Sequence, residues 1–148
     1  MKSHVHTICA TLLAAASLSA ALHAQTTAVY RVEVPFEFNC GKSHLGPGTY
    51  TVTADEPHHT LMIQNETQSL LVLAQVSYDP GRVGGSKAVF KKYGDRFFFE
   101  ELKMGGSATD MYLSVSAAER RAARELARQG KQPTELALAV LPERTFGN

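Results

Sequence analysis

The chain has 148 residues, 44% of them hydrophobic and 20% charged, with a formal net charge of +1. That length supports one cored domain and is too short for two. A near-neutral balance gives no overall electrostatic pull on nucleic acid and excludes that class of partner.

Met1–Ala24 reads as a secretory signal peptide, with a basic start at Lys2, an apolar Ile8–Leu22 and the small Ala24 before Gln25. Cleavage after Ala21 also fits. The apolar stretch is alanine-rich and shorter than the roughly 20 residues of a spanning helix, so no transmembrane segment is expected in the mature chain. Cys9 has no lipoprotein-type context. The expected product is a single β-rich domain, Gln25–Asn148, that is secreted or periplasmic. Loss of Lys2 leaves 14 basic against 14 acidic residues, and Cys40 as the only cysteine. A lone cysteine closes no internal disulfide, so stability in an oxidising compartment must come from the core. Phe36, Phe38 and Cys40 alternate on one face, which predicts a buried, inert thiol, with an intermolecular disulfide as the alternative.

Val29–Cys40 predicts a strand with Val32, Val34, Phe36 and Phe38 on one side, and Pro35 marks an edge or a bulge. After the turn-rich Gly41–Gly48, Thr49–Ala54 alternates Tyr50 and Val52 inward with threonines outward. Asp55–His59 is a turn, and Thr60–Asn65 a short strand carrying Leu61 and Ile63. His58 and His59 are weak metal candidates: histidine and carboxylate ligate zinc, but neighbouring side chains on extended backbone diverge. Asn65-Glu66-Thr67 is a formal glycosylation sequon. Ser69–Ser77 is apolar on both faces, which fits a mid-sheet strand or a subunit interface. Asp79–Ser86 is a loop without the spacing of a phosphate-binding loop.

Ala88–Tyr93 and Arg96–Leu102 flank Gly94-Asp95, a two-residue hairpin turn in which glycine takes positive φ without strain. Tyr93 then faces Arg96, Phe90 faces Phe99 and Val89 faces Glu100. Ala88, Phe90, Phe97 and Phe99 share the core face. Lys91, Tyr93, Arg96, Phe98 and Glu100 share the other, where Arg96 can lie over the Tyr93 ring. Tyr93, Arg96 and Phe98 are a candidate interaction surface unless the C-terminal segment covers Phe98. Glu100 and Glu101, as neighbours on a strand, are expected to point apart, a poor arrangement for paired acid–base work.

Met111–Val115 is a short strand. Ser116 to Glu119 has capping-box spacing and opens a helix over about 116–129, with a thin stripe at Ala118, Ala122 and Leu126, an arginine-rich remainder and Gly130 just past its end. Glu135–Leu141 is either a last strand or, given its leucines and alanines, a short helix, and the bracketing prolines favour the strand.

Four segments, VPFEF (Val34–Phe38), LGPGTYTV (Leu45–Val52), AVFKKYGDRFFF (Ala88–Phe99) and ERRAARELA (Glu119–Ala127), resemble a family of small uncharacterised exported proteins of soil bacteria. The resemblance spans most of the mature chain and rests on structural motifs. The chain departs from the pattern at LGPG, where Leu-Pro-x-Gly is expected, and at Lys91, where a histidine is expected. It implies export and fold and assigns no activity.

The expected fold is mainly β, an antiparallel barrel or sandwich of about seven or eight strands with one C-terminal helix. No nucleophile–base motif occurs, and the mature histidines His44, His58 and His59 all fall in turns. The leading expectation is a non-catalytic binding or interaction module without cofactor, for a protein or glycan partner or a second copy. The alternatives are a barrel carrying a small apolar ligand among Phe36, Phe38, Phe90, Phe97 and Phe99, and a metal-dependent hydrolase.

Overall fold

The computed structural model describes residues 27–81 and 83–143. The expected signal peptide, with its alternative cleavage points at Ala21 and Ala24, lies outside them. The elements run β1 (Thr27–Val34), β2 (Phe38–Cys40), β3 (Ser43–Leu45), β4 (Gly48–Asp55), β5 (Thr60–Gln64), β6 (Ser69–Leu73), β7 (Gln75–Tyr78), β8 (Lys87–Tyr93), β9 (Arg96–Lys103), β10 (Thr109–Tyr112), α1 (Ala117–Arg128), β11 (Thr134–Ala139) and β12 (Leu141–Pro142). Strands outnumber the expected seven or eight because several are short pieces of a chain that changes sheets.

Two sheets form. One is five-stranded, in the order β12-β1-β4-β5-β6; the other is seven-stranded, in the order β11-β8-β9-β10-β7, with β2 and β3 attached through β9. Neither sheet closes on itself, so the sandwich alternative holds and the barrel does not. The chain passes between sheets four times, at Pro35, at Gly46-Pro47, at Ala74 and at Val140. Pro35 cannot donate to a ladder, and there the run of Val29–Cys40 divides into β1 and β2.

Alternation sets the core. Tyr30, Val32, Val34, Tyr50, Val52, Leu61 and Ile63 from the first sheet meet Phe38, Cys40, Phe90, Phe99, Leu102 and Met111 from the second. Cys40 is fully buried and unpaired, and desolvation pushes its thiol up to about 12. A thiol so placed stays protonated at neutral pH and presents no sulfur to a partner chain. Thiol reagents should therefore leave the native protein unmodified and titrate one equivalent after denaturation. Rapid native labelling would show that the sheets open.

The helix forms a third layer on the outer face of the second sheet. Ser116 Oγ accepts from the Glu119 N–H at 3.1 Å, and Gly130 at φ 67° lets the Lys131 and Gly130 N–H groups donate to the Leu126 and Ala127 carbonyls. Both ends fall where the sequence places them. The Glu119 side chain does a different job from the one the capping box assigns, described below. Among the described residues no helix is long and apolar enough to cross a membrane.

Candidate functional site

The hairpin β8–β9 positions most of the polar chemistry. Tyr93 pairs with Arg96 and Phe90 with Phe99, as its turn requires, but Val89 pairs with Glu101. Glu100 is thus an extra residue on β9, a β-bulge. Beyond it the inward positions shift from Phe97 and Phe99 to Leu102, and Glu100 and Glu101 both come to line one cleft on the outer face. This corrects the expectation that the two carboxylates diverge. The cleft, of about 410 Å³, is completed by Gln75, Tyr112 and Ser114. Its polar groups are largely engaged with one another. Lys91 Nζ sits 2.6 Å from Glu100 Oε1, Lys103 Nζ 3.5 Å from Glu101 Oε2, and the Tyr112 hydroxyl donates to Gln75 Oε1 at 3.0 Å.

Burial raises the Glu101 pKa, the Lys103 ammonium opposes it, and the Asp110 carboxylate adds to the rise. A folded-state value above the unfolded one means that the protonated form contributes stability below the ordinary carboxylate range. That stability is lost as pH rises through the folded-state value. Glu101→Gln should therefore raise Tm at about pH 7 and have little effect near pH 3. An equal shift at both pH values would assign the change to packing instead.

Tyr93, Arg96 and Phe98 separate. Phe98 is 2% and Tyr93 8% exposed, because Ala122 and Leu126 of α1 pack over them. This corrects their assignment to an exposed surface: only Arg96 remains exposed, and its guanidinium lies 5.5 Å from the centre of the Phe98 ring, not over Tyr93. The Tyr93 hydroxyl donates to the buried Glu119 Oε1 at 3.0 Å, tying the helix to the hairpin. Burial and the Glu119 charge both raise the Tyr93 pKa. Beside this contact a groove of about 610 Å³ runs between the Gly94-Asp95 turn and the helix, reaching Glu125, Gln129 and Lys131.

The five candidate ligand-lining phenylalanines do come together. Phe36 stacks on Phe97 at 4.0 Å, and Phe90 meets Phe36, Phe38 and Phe99 edge-to-face at 5.2–5.4 Å. Between Phe38, Phe90 and Phe99 of this group and Val32, Val34 and Val52 of the first sheet the gap is about 10 Å³. That is the threshold for one water molecule and far below the volume of a small apolar ligand.

His58 Nδ1 lies 2.8 Å from Asp55 Oδ1, and His59 adopts φ 54° in the same turn. Among the described residues no three His, Cys, Asp or Glu side chains converge as a metal-binding group. Asn65 of the sequon uses its own Oδ1 to accept from the N–H groups of Thr67 and Gln68, forming the β5–β6 turn.

Ser69–Ser77 is not a mid-sheet strand. It is β6, at the edge of the first sheet, followed by β7, at the edge of the second. Leu71 and Leu73 are 66% and 79% exposed on the outer face. The sequence carried no sign of the cleft at Glu101, whose walls come from strands paired across positions 75 and 112. No protein-family model, curated protein or solved structure matches the chain.

Proposed function

We propose that the protein is an exported, non-catalytic interaction module of the cell envelope or exterior, which recognises a protein or glycan through its surface. The observation that carries this reading is the contrast between a filled interior and an uncovered edge. The aromatic core leaves a gap of about 10 Å³, whereas β6 presents Leu71 and Leu73 to solvent. Exposed large apolar side chains grouped on one element mark interaction sites more often than isolated ones do. The polar groups of the outer face support the same view, since Lys91, Glu100, Tyr93 and Glu119 are spent on one another. Export rests on the Met1–Ala24 segment and places the protein in the periplasm or outside the cell.

Native mass spectrometry of Gln25–Asn148 purified from a periplasm tests this reading. The expected spectrum contains only integral multiples of the chain mass. A bound mass of several hundred daltons that survives gentle desolvation would overturn it in favour of an apolar-ligand carrier. A bound metal mass lost on His59→Ala would overturn it in favour of a metal-dependent hydrolase.

A further inference from the structure

We infer that the partner of the β6 edge is a second copy of this chain, joined antiparallel so that two five-stranded sheets continue as one. The inference rests on the surface-recognition reading above and names its partner.

The backbone defines the chemistry of the edge. Ala74 N–H donates to the His59 carbonyl at 2.8 Å. Bonded and non-bonded pairs alternate along an antiparallel ladder. The pairs Leu61↔Val72 and Ile63↔Leu70 are therefore the bonded ones, while Ser69, Leu71 and Leu73 turn their N–H and C=O groups away from β5. Among the described residues no strand pairs with that side of β6. Alternating free donors and acceptors along an extended segment are matched by another strand.

Two of the other sheet edges, β11 and β12, carry guards, the edge strand β7 is only four residues long, and β6 has no charge, proline or bulge. The strand at one end of the second sheet, β11, follows Pro133 and carries Glu135, and β12 is two residues long and ends in Pro142. The segment Ser69–Leu73 contains no charge and no proline, and its register with β5 is free of bulges. Charge, proline, bulges and brevity are the devices that keep edges apart.

The edge is also its own complement. A two-fold axis at Leu71 sets Leu71 against Leu71 of the partner subunit and Ser69 against Leu73 of the partner subunit. Every outward N–H and C=O of these three residues then finds a bond. Gln68 and Ala74, the next residues along, are uncharged, so no like charges meet. Such pairing uses the same edge on both chains and closes at two, leaving the two-residue, proline-ended β12 at each end of the joined sheet.

The test is a concentration series of the full exported chain by native mass spectrometry and light scattering, with two variants. The unaltered chain should form a dimer. Leu71→Lys sets two ammonium groups opposite one another and should weaken the dimer at least about tenfold, while leaving Tm unchanged at concentrations where both chains are monomeric, because the side chain is exposed in the single chain. Leu71→Cys should yield a covalent dimer with a short bis-maleimide, while Glu125→Cys on the helix should not; Cys40 is too buried to compete. A monomer at every concentration, a dimer indifferent to Leu71→Lys, equal cross-linking at both cysteines, or open-ended oligomers would each overturn the inference. None of these outcomes adds a ligand mass, so failure of the dimer is distinct from failure of the surface-recognition reading.

Discussion

Phe90→Ala is expected to remove about 3–5 kcal/mol of stability, the range for deleting a large aromatic from a packed core. Phe90 is 1% exposed and its ring makes edge-to-face contacts with Phe36, Phe38 and Phe99. Each such pair adds about 0.5–1.5 kcal/mol beyond the area it buries. Those partners come from two separate parts of the chain, so the ring is where the segment from the β1–β2 crossing into β2 meets the central hairpin. A cavity there has no easy route to collapse, since the backbone around it is held by ladder bonds to both β9 and β11. A domain of this size has about 5–15 kcal/mol in total, so one substitution should consume much of it. Thermal melts should show Tm falling by roughly 10–20 °C, and urea titration should give the same loss at an unchanged slope. A loss below about 1 kcal/mol would mean that the rings shift to refill the space and the core is plastic. Phe36→Ala offers the internal comparison, because its ring is only partly buried and its loss should be smaller.

What the sequence made legible was local. The hairpin turn at Gly94, the strands carrying Tyr50, Val52, Leu61 and Ile63, and both ends of the helix follow from alternation, turn residues and caps within a few positions. The bulge also left a trace. Apolar residues recur at Phe97 and Phe99 and then at Leu102, a step of three where a regular strand steps by two, and Glu100-Glu101 fills the gap. Reading the run as unbroken alternation put Val89 opposite Glu100 and sent the carboxylates apart.

What was not legible depends on distant pairings. The strand β9 pairs with β8, with β10, and in parallel with β2 at Phe97 and Phe98, and no feature of RFFFEELK specifies three neighbours. The helix stripe of alanines with one leucine is thin. It is thin because the sheet supplies the bulk: Tyr93 and Phe98 fill the space that small side chains leave. The two-faced apolarity of Ser69–Ser77 pointed to a fully buried strand or to an interface, and alternation alone does not separate these. Its second face is solvent-exposed in the single chain at Leu71 and Leu73, so packing within that chain does not account for it.

The second large effect is expected at Gly105, and there the cause is closeness rather than dihedral freedom. A methyl group at this position would lie 2.6 Å from the Ser86 backbone nitrogen, 2.7 Å from the Gly85 carbonyl carbon and 2.8 Å from the Gly84 oxygen. All three are main-chain atoms, so no side chain can swing aside. The approach is held in place, since the Gly105 N–H donates to Ser86 Oγ at 2.8 Å and the Ser86 carbonyl accepts from Val140 N–H at 3.1 Å. Alanine must therefore push the segment before β8 outward, and the displacement reaches the corner where β11 passes into β12. The loss should be about 1–3 kcal/mol, the cost of forced overpacking. The neighbouring Gly106 separates this effect from backbone strain. It sits at φ 79°, and a Cβ added there would meet nothing within 4 Å, so Gly106→Ala should cost only the left-handed penalty of about 1–2 kcal/mol. Hydrogen exchange distinguishes the two more sharply than Tm. Gly105→Ala should speed exchange of the Val140 amide selectively, and Gly106→Ala should leave it close to the unaltered rate. If both variants left Val140 equally protected, the contact at Gly105 would be one the loop can relax, and the β11–β12 corner would hold without it.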